Sequence, residues 1–170
     1  MIMKKILFLL TTLIFLGCQN QDSAGFANYD GRFDSYDADA KYVLGSDDDA
    51  QLAVNLVLAY ADKDTDYMVE KMADSVTFLP PQGGESMVMG RNQVADVIMQ
   101  LHSPYDSIKR TVWNAVPLQT QGTDFTRVTV AFSEQRFLKD GSQENLRIID
   151  RIFISDGKIY RIHQWDAELP

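Results

Sequence analysis

Cysteine occurs once in the 170 residues, at Cys18, and histidine twice, at His102 and His163. A single thiol excludes an internal disulfide framework and any multi-thiolate metal site. Two histidines without HxH or HExxH spacing argue against a zinc or iron centre, so neither a metal nor another cofactor is expected. Acidic residues outnumber basic ones by 24 to 16, for a net charge of −8. A chain with no basic stripe displaces few counterions from a phosphate backbone, so nucleic acid is not an expected partner. GxSxG, P-loop and GxGxxG motifs are missing too, which removes hydrolase-elbow, nucleotide and dinucleotide readings. The longest apolar run falls short of the roughly 20 residues that cross a bilayer.

What is present suffices for one core. Apolar residues make up 45% and aromatics 11%, and the length suits a single domain with appendages. The negative charge is concentrated: residues 19–49 carry −6, with eight Asp against Arg32 and Lys41, whereas residues 50–170 carry −4.

The chain begins MIMKKILFLLTTLIFLGC. Lys4 and Lys5 form a positive n-region, and Ile6 to Leu16 a short apolar h-region broken by Thr11 and Thr12, as in a secretory signal. Gly17 then stands directly before Cys18. This pattern resembles a bacterial lipoprotein lipobox, although Phe15 and Leu16 depart from its commonest residues. The resemblance implies a signal peptide over residues 1–17 and lipidation of Cys18. It also implies an exported chain anchored in the cell envelope through acyl chains, each buried methylene worth roughly 0.8 kcal/mol. Gln19, rather than Asp, resembles the sorting pattern for an outer membrane where the organism has one. The alternative is an ordinary signal peptide, or an uncleaved anchor, with an accidental cysteine. Residues 18–46 read as an acidic tether, since like charges repel and little apolar surface is there to bury. Phe26, Tyr29, Phe33, Tyr36 and Tyr42 in it could also dock on the domain or a partner.

The folded part is expected over residues 47–170. Ser46 is placed to cap a helix whose first turn holds Asp47, Asp48 and Asp49, near the positive end of its dipole. From Leu52 to Ala61 only Asn55 is polar, which predicts burial on nearly all sides. Thr65 should cap a shorter helix. A brief strand then ends at Pro80–Pro81 and a Gly83–Gly84 turn, and MVMG adds another. RNQVADVIMQLH predicts a third helix, opened by an exposed Arg91, with Val94, Val97, Ile98 and Leu101 on one face. Residues 108–118, 124–138, 143–155 and 158–166 favour strands, separated by the turn signals QTQGTD, KDGSQ and SDGK. Helices followed by a long antiparallel meander indicate an α+β layer fold.

Three segments carry a resemblance: AYADKDTDYMVEKMADSVTFLP, GRNQVADVI and IIDRIFISDGKIYRIHQWD. They resemble the nuclear transport factor 2-like superfamily, which includes SnoaL-like polyketide cyclases and ketosteroid isomerases, over residues 48–168. The resemblance implies a cone: a curved antiparallel sheet with about three helices packed on its concave side, enclosing a hollow. Such domains often dimerise through the sheet, so a homodimer is one expected association. Enzymes, binding proteins and inert partners share this cone, so the resemblance speaks to fold more than to activity.

Matched residue by residue, the isomerase base position holds Pro80 and the oxyanion-donor position Leu56, neither of which has a proton to exchange. The acid of the cyclases' last strand becomes Gln164, with Trp165 or Asp166 one or two residues along. Asp150 matches the acid that isomerases keep protonated, and it alternates with Ile148 and Ile152; a structural pairing with Arg147, Arg151 or another arginine is the alternative. The resemblance implies a pocket lined by Tyr60, Phe78, Met89, Trp113, Asp150, Ile162 and Gln164. Met68, Met72, Met87, Met89 and Met99 would supply adaptable thioethers around it. His163 shares the opposite face with Arg161 and Trp165, and His102 would favour the negative end of its helix dipole. The expected function is therefore envelope-anchored binding of a small apolar or amphipathic organic ligand. The alternatives are an isomerase, cyclase or hydratase with Asp150 as its acid, and a non-catalytic interaction or dimerisation module.

Overall fold

The computed structural model describes residues 41–169; the leader, Cys18 and the acidic stretch up to Ala40 lie outside the described residues. Within those limits the strands are β1 (Tyr42–Leu44), β2 (Met72–Leu79), β3 (Met87–Gly90), β4 (Tyr105–Thr120), β5 (Phe125–Leu138), β6 (Gln143–Ser155) and β7 (Lys158–Glu168). The helices are α1 (Asp47–Asp62), α2 (Thr65–Lys71) and α3 (Val94–Leu101). All seven strands join one curved, unclosed sheet in the order β1-β4-β5-β6-β7-β2-β3. Its pairings are antiparallel except β2 against β7. This is the α+β cone expected from the sequence.

Local chemistry explains most element ends. The Ser46 hydroxyl accepts from the backbone N–H of Asp49 at 3.1 Å, capping α1. α1 is less enclosed than its composition predicts. Ala53, Leu56, Val57 and Ala59 are buried, but Leu58 faces solvent. Asp64, not Thr65, caps α2, its carboxylate accepting from the Tyr67 N–H at 3.0 Å. Arg91–Gln93 forms a 3₁₀ turn ahead of α3, so the helix proper begins at Val94. Arg91 itself pairs with exposed Asp74 at 2.6 Å.

Tyr42–Leu44, placed in the tether by the sequence, pairs with Leu118–Thr120 at the sheet edge. The folded unit therefore starts ahead of Asp47. Tyr42 is buried, with the Arg127 guanidinium 5.1 Å from its ring centre. Three residues are too few to show a period, so this strand is invisible without its partner.

The long strands follow the period-2 rule closely. Val128, Val130, Phe132 and Glu134 on β5, and Leu146, Ile148, Asp150, Ile152 and Ile154 on β6, are all buried on the concave side. The β6–β7 hairpin turns on Asp156 and Gly157, both at positive φ (52° and 66°), the conformation of a two-residue type I′ loop. Register shifts in β4 between Tyr105 and Ser107, and between Val112 and Asn114, are bulges that bend the strand. The bent sheet wraps the helices, with α1 against β4 and β5 and α2 beside both α1 and α3.

A candidate binding cavity with a charged floor

The space between helices and sheet is a cavity of about 320 Å³. Its walls are mostly apolar. Leu56 and Val57 of α1, Val94, Val97, Ile98 and Leu101 of α3, and Val76 and Phe78 of β2 contribute, with Pro80 and Pro81 beyond β2. Met68, Met72, Met87 and Met89 complete them. The polar side chains converge from the sheet: Tyr105, Arg110, Arg136, Asp150 and Gln164, with Tyr60 of α1 above.

Register builds this polar floor. Arg110 of β4 lies opposite Glu134 of β5. Its Nε donates to Glu134 Oε2 at 2.5 Å, and its Nη1 donates to the Val57 carbonyl of α1 at 2.9 Å. The same guanidinium sits 4.2 Å from the Tyr60 ring centre and 4.7 Å from that of Phe132. Arg136, two residues along β5, donates from Nε to Glu134 Oε1 at 2.5 Å, and its Nη1 reaches Glu144 at 3.4 Å. Glu134 is thus fully buried between two arginines that each hold one of its oxygens. Such burial is tolerable only because both partners are in place.

Asp150 stands across from Gln164, whose Nε2 donates to its Oδ1 at 3.0 Å. Burial raises the Asp150 carboxyl from 3.8 to about 6; the Arg110 charge and the Gln164 hydrogen bond pull it down, and Glu134 adds to the rise. Burial likewise raises the Tyr60 phenol, against the opposing charge of Arg110.

Of the residues singled out in the sequence, Tyr60, Phe78, Met89, Asp150, Ile162 and Gln164 line the cavity, as do Pro80 and Leu56. Trp113 does not: it is 52% exposed, with the Arg147 guanidinium 5.8 Å from its ring centre. Trp113 is the unpaired residue of the bulge between Val112 and Asn114, and it projects to solvent beside inward-packed Val112. Met99 is also exposed, unlike the other four cone methionines. Asp150 pairs with neither Arg147 nor Arg151; its hydrogen-bond partner is Gln164. His163 stacks on the outer face against Phe153 and Trp165, with ring centres 5.1 Å and 6.1 Å away. His102 caps α3 but is buried against the Tyr60 ring, 4.5 Å between centres. Burial lowers its pKa, which makes it a neutral packing group rather than a cation at the dipole end.

Arg110, Glu134 and Arg136 were missed by sequence reasoning. A signal exists: Glu134 and Arg136 continue the alternating series Val128, Val130, Phe132, so charged groups occupy core-facing positions of a long strand. Charges there imply partners, and therefore a constructed site or a structural network.

No family model matches the chain, and no curated protein matches it. Solved structures do. A ketosteroid isomerase-like protein from Catenulispora acidiphila in complex with trimethylamine aligns with a TM-score of 0.55 at 13% identity, covering 68% of this chain and 84% of its own. An NTF2-like protein from Burkholderia pseudomallei aligns at 0.57 and 13%, covering 73% and 92%. TerC co-crystallised with polyporic acid aligns at 0.55 and 16%, covering 72% and 92%. At these identities the likeness is one of architecture, and it agrees with the bent sheet, the three helices and the hollow between them: the described domain has the NTF2-like, ketosteroid isomerase-like fold.

Proposed function

We propose that the chain is an envelope lipoprotein, acylated on Cys18 after removal of residues 1–17, whose NTF2-like domain holds a small amphipathic organic molecule. The observation that carries the binding half is the cavity itself. At about 320 Å³ it lies at the lower end of ligand-pocket volumes, with apolar walls and a few convergent polar groups at one end. Its four methionines adapt to varied shapes. Two of the similar structures carry small organic molecules: the Catenulispora protein is in complex with trimethylamine, and TerC is co-crystallised with polyporic acid. Thermal unfolding of the full chain against a panel of hydrophobic organic compounds should show an upward shift with at least one of them. A panel that moves nothing overturns the binding assignment.

The address rests on the n-region, the h-region and the Gly17–Cys18 pair. Radiolabelled palmitate should be incorporated into the full chain in a bacterial host and not into Cys18→Ser. An unlabelled wild-type chain removes the anchor.

A second reading, an isomerase-, cyclase- or hydratase-type enzyme, is favoured by Asp150. A carboxyl near 6 that faces the cavity is suited to hold and release a proton at neutral pH. In that reading Asp150→Asn abolishes turnover of a substrate found by screening, and undiminished turnover takes Asp150 out of the mechanism.

A further inference from the structure

We propose that the ligand is an organic monocarboxylate, its carboxylate seated on Arg110 and Arg136 at the sheet end of the cavity and its apolar body lying toward the helices. This rests on the cavity being a ligand site and names the class that fits it.

Hydrogen-bond capacity is the first ground. The guanidiniums of Arg110 and Arg136 spend Nε and Nη1 on Glu134, Val57 and Glu144. Nη2 of each has no hydrogen-bond partner among the described residues, although both side chains line the cavity. Guanidinium N–H groups left free beside an apolar cavity are best met by a carboxylate, whose two oxygens can accept from two N–H groups at once.

Charge is the second ground. Two arginines face one buried glutamate, which leaves one positive charge unbalanced by it. Glu144 touches only the rim, half exposed and 3.4 Å from Arg136, where solvent screens it. The remaining polar groups facing the spot are Tyr60 from α1, Tyr105 from β4, Asp150 from β6 and Gln164 from β7. β2 and β3 present Met72, Val76, Phe78, Met87 and Met89, which carry no charge. Asp150, which feels the Arg110 charge, is the one further acid lining the empty cavity, and a bound carboxylate competes with it. When the ligand brings its own negative charge, Asp150 takes up a proton and the floor stays neutral. A monoanion satisfies this balance, whereas a phosphate dianion leaves an excess buried charge.

Proton uptake gives the inference a signature that a purely structural arginine pair lacks. Asp150 loses its proton above about 6, so carboxylate affinity should fall by up to tenfold per pH unit beyond that point. Calorimetry on the full chain with 2-naphthoic acid, its neutral amide and 2-naphthylmethylamine compares three charges on one apolar body. The expected order at pH 6 is the carboxylate at least tenfold tighter than the amide, with the ammonium weakest. Arg136→Gln should reduce naphthoate affinity at least tenfold, and Asp150→Asn should flatten its pH profile above 6. Should Arg136→Gln fail to fold, the wild-type order and the Asp150→Asn profile still decide. Equal affinities for acid and amide overturn the charge assignment and leave the binding cavity standing. Binding by none of the three overturns the carboxylate assignment, and the cavity as a ligand site falls with it only if the wider compound panel also shifts nothing.

Discussion

Glu134→Ala is expected to destabilise the domain by about 3–5 kcal/mol, the range for removing one partner of a buried ion pair. The side chain is wholly buried, and its two oxygens are the acceptors for Arg110 Nε and Arg136 Nε. Truncation leaves two guanidiniums facing each other in a space closed by Phe132 and Tyr60, with no anion between them. A single domain has only about 5–15 kcal/mol in total, so a large share of its stability would go. Urea unfolding followed by the fluorescence of Trp113 and Trp165 reads this directly. Glu144→Ala is the comparison: its carboxylate meets Arg136 at 3.4 Å on the half-exposed rim, and its loss should cost less than about 1 kcal/mol. Equal, small effects in the two variants would mean that Glu134 is not the keystone of the floor.

Asp150→Asn is expected to stabilise the ligand-free protein at alkaline pH and leave it unchanged in acid. An acid whose folded pKa lies above its unfolded value binds more protons when folded, so its contribution to stability declines as pH rises. The unfolded carboxyl titrates near 3.8 and the folded one near 6. Below the lower value the two states are equally protonated and the ionised form costs nothing. Above the higher value the domain carries a buried ionised carboxylate, at a penalty of about 3 kcal/mol, since each pKa unit corresponds to roughly 1.4 kcal/mol. The penalty develops between about 4 and 6 and is full above that. Asparagine keeps the shape and a carbonyl for Gln164 while removing the charge. Urea midpoints at pH 4 and pH 8 should therefore differ between wild type and variant only at pH 8. A variant less stable than wild type at pH 8 would show that the Arg110 charge outweighs burial at this carboxyl.

These two variants also locate the boundary of what could be read in advance. Alternation in β5 and β6, three turn signals and the Ser46–Asp49 cap are local features, determined within a few residues, and each appears in the folded domain as expected. Errors arose where a neighbour in space decides. Thr65 and Asp64 are both good caps by composition, and the backbone path chose Asp64. Tyr42–Leu44 looked like tether because its pairing partner, Leu118–Thr120, lies more than seventy residues away. Trp113 was placed in the pocket by the resemblance, but it sits at the bulge between Val112 and Asn114 and faces solvent. His102 looked like a dipole-end cation until Tyr60 covered it.

Sequence alone determined the α+β order of elements, the acidic and cysteine-poor character of the chain and the alternation that sets Asp150 on one strand face with Ile148 and Ile152. All of these depend on composition or on short-range periodicity, which a linear string displays in full. The tertiary structure alone decided that Arg110, Glu134 and Arg136 form one network beneath Asp150 and Gln164. Those residues come from four strands spread over more than fifty positions, and strand register sets which of them meet. Ion pairing and the raising of a carboxyl pKa both depend on distance and on exclusion of water, and neither quantity exists until the sheet has curved around its hollow.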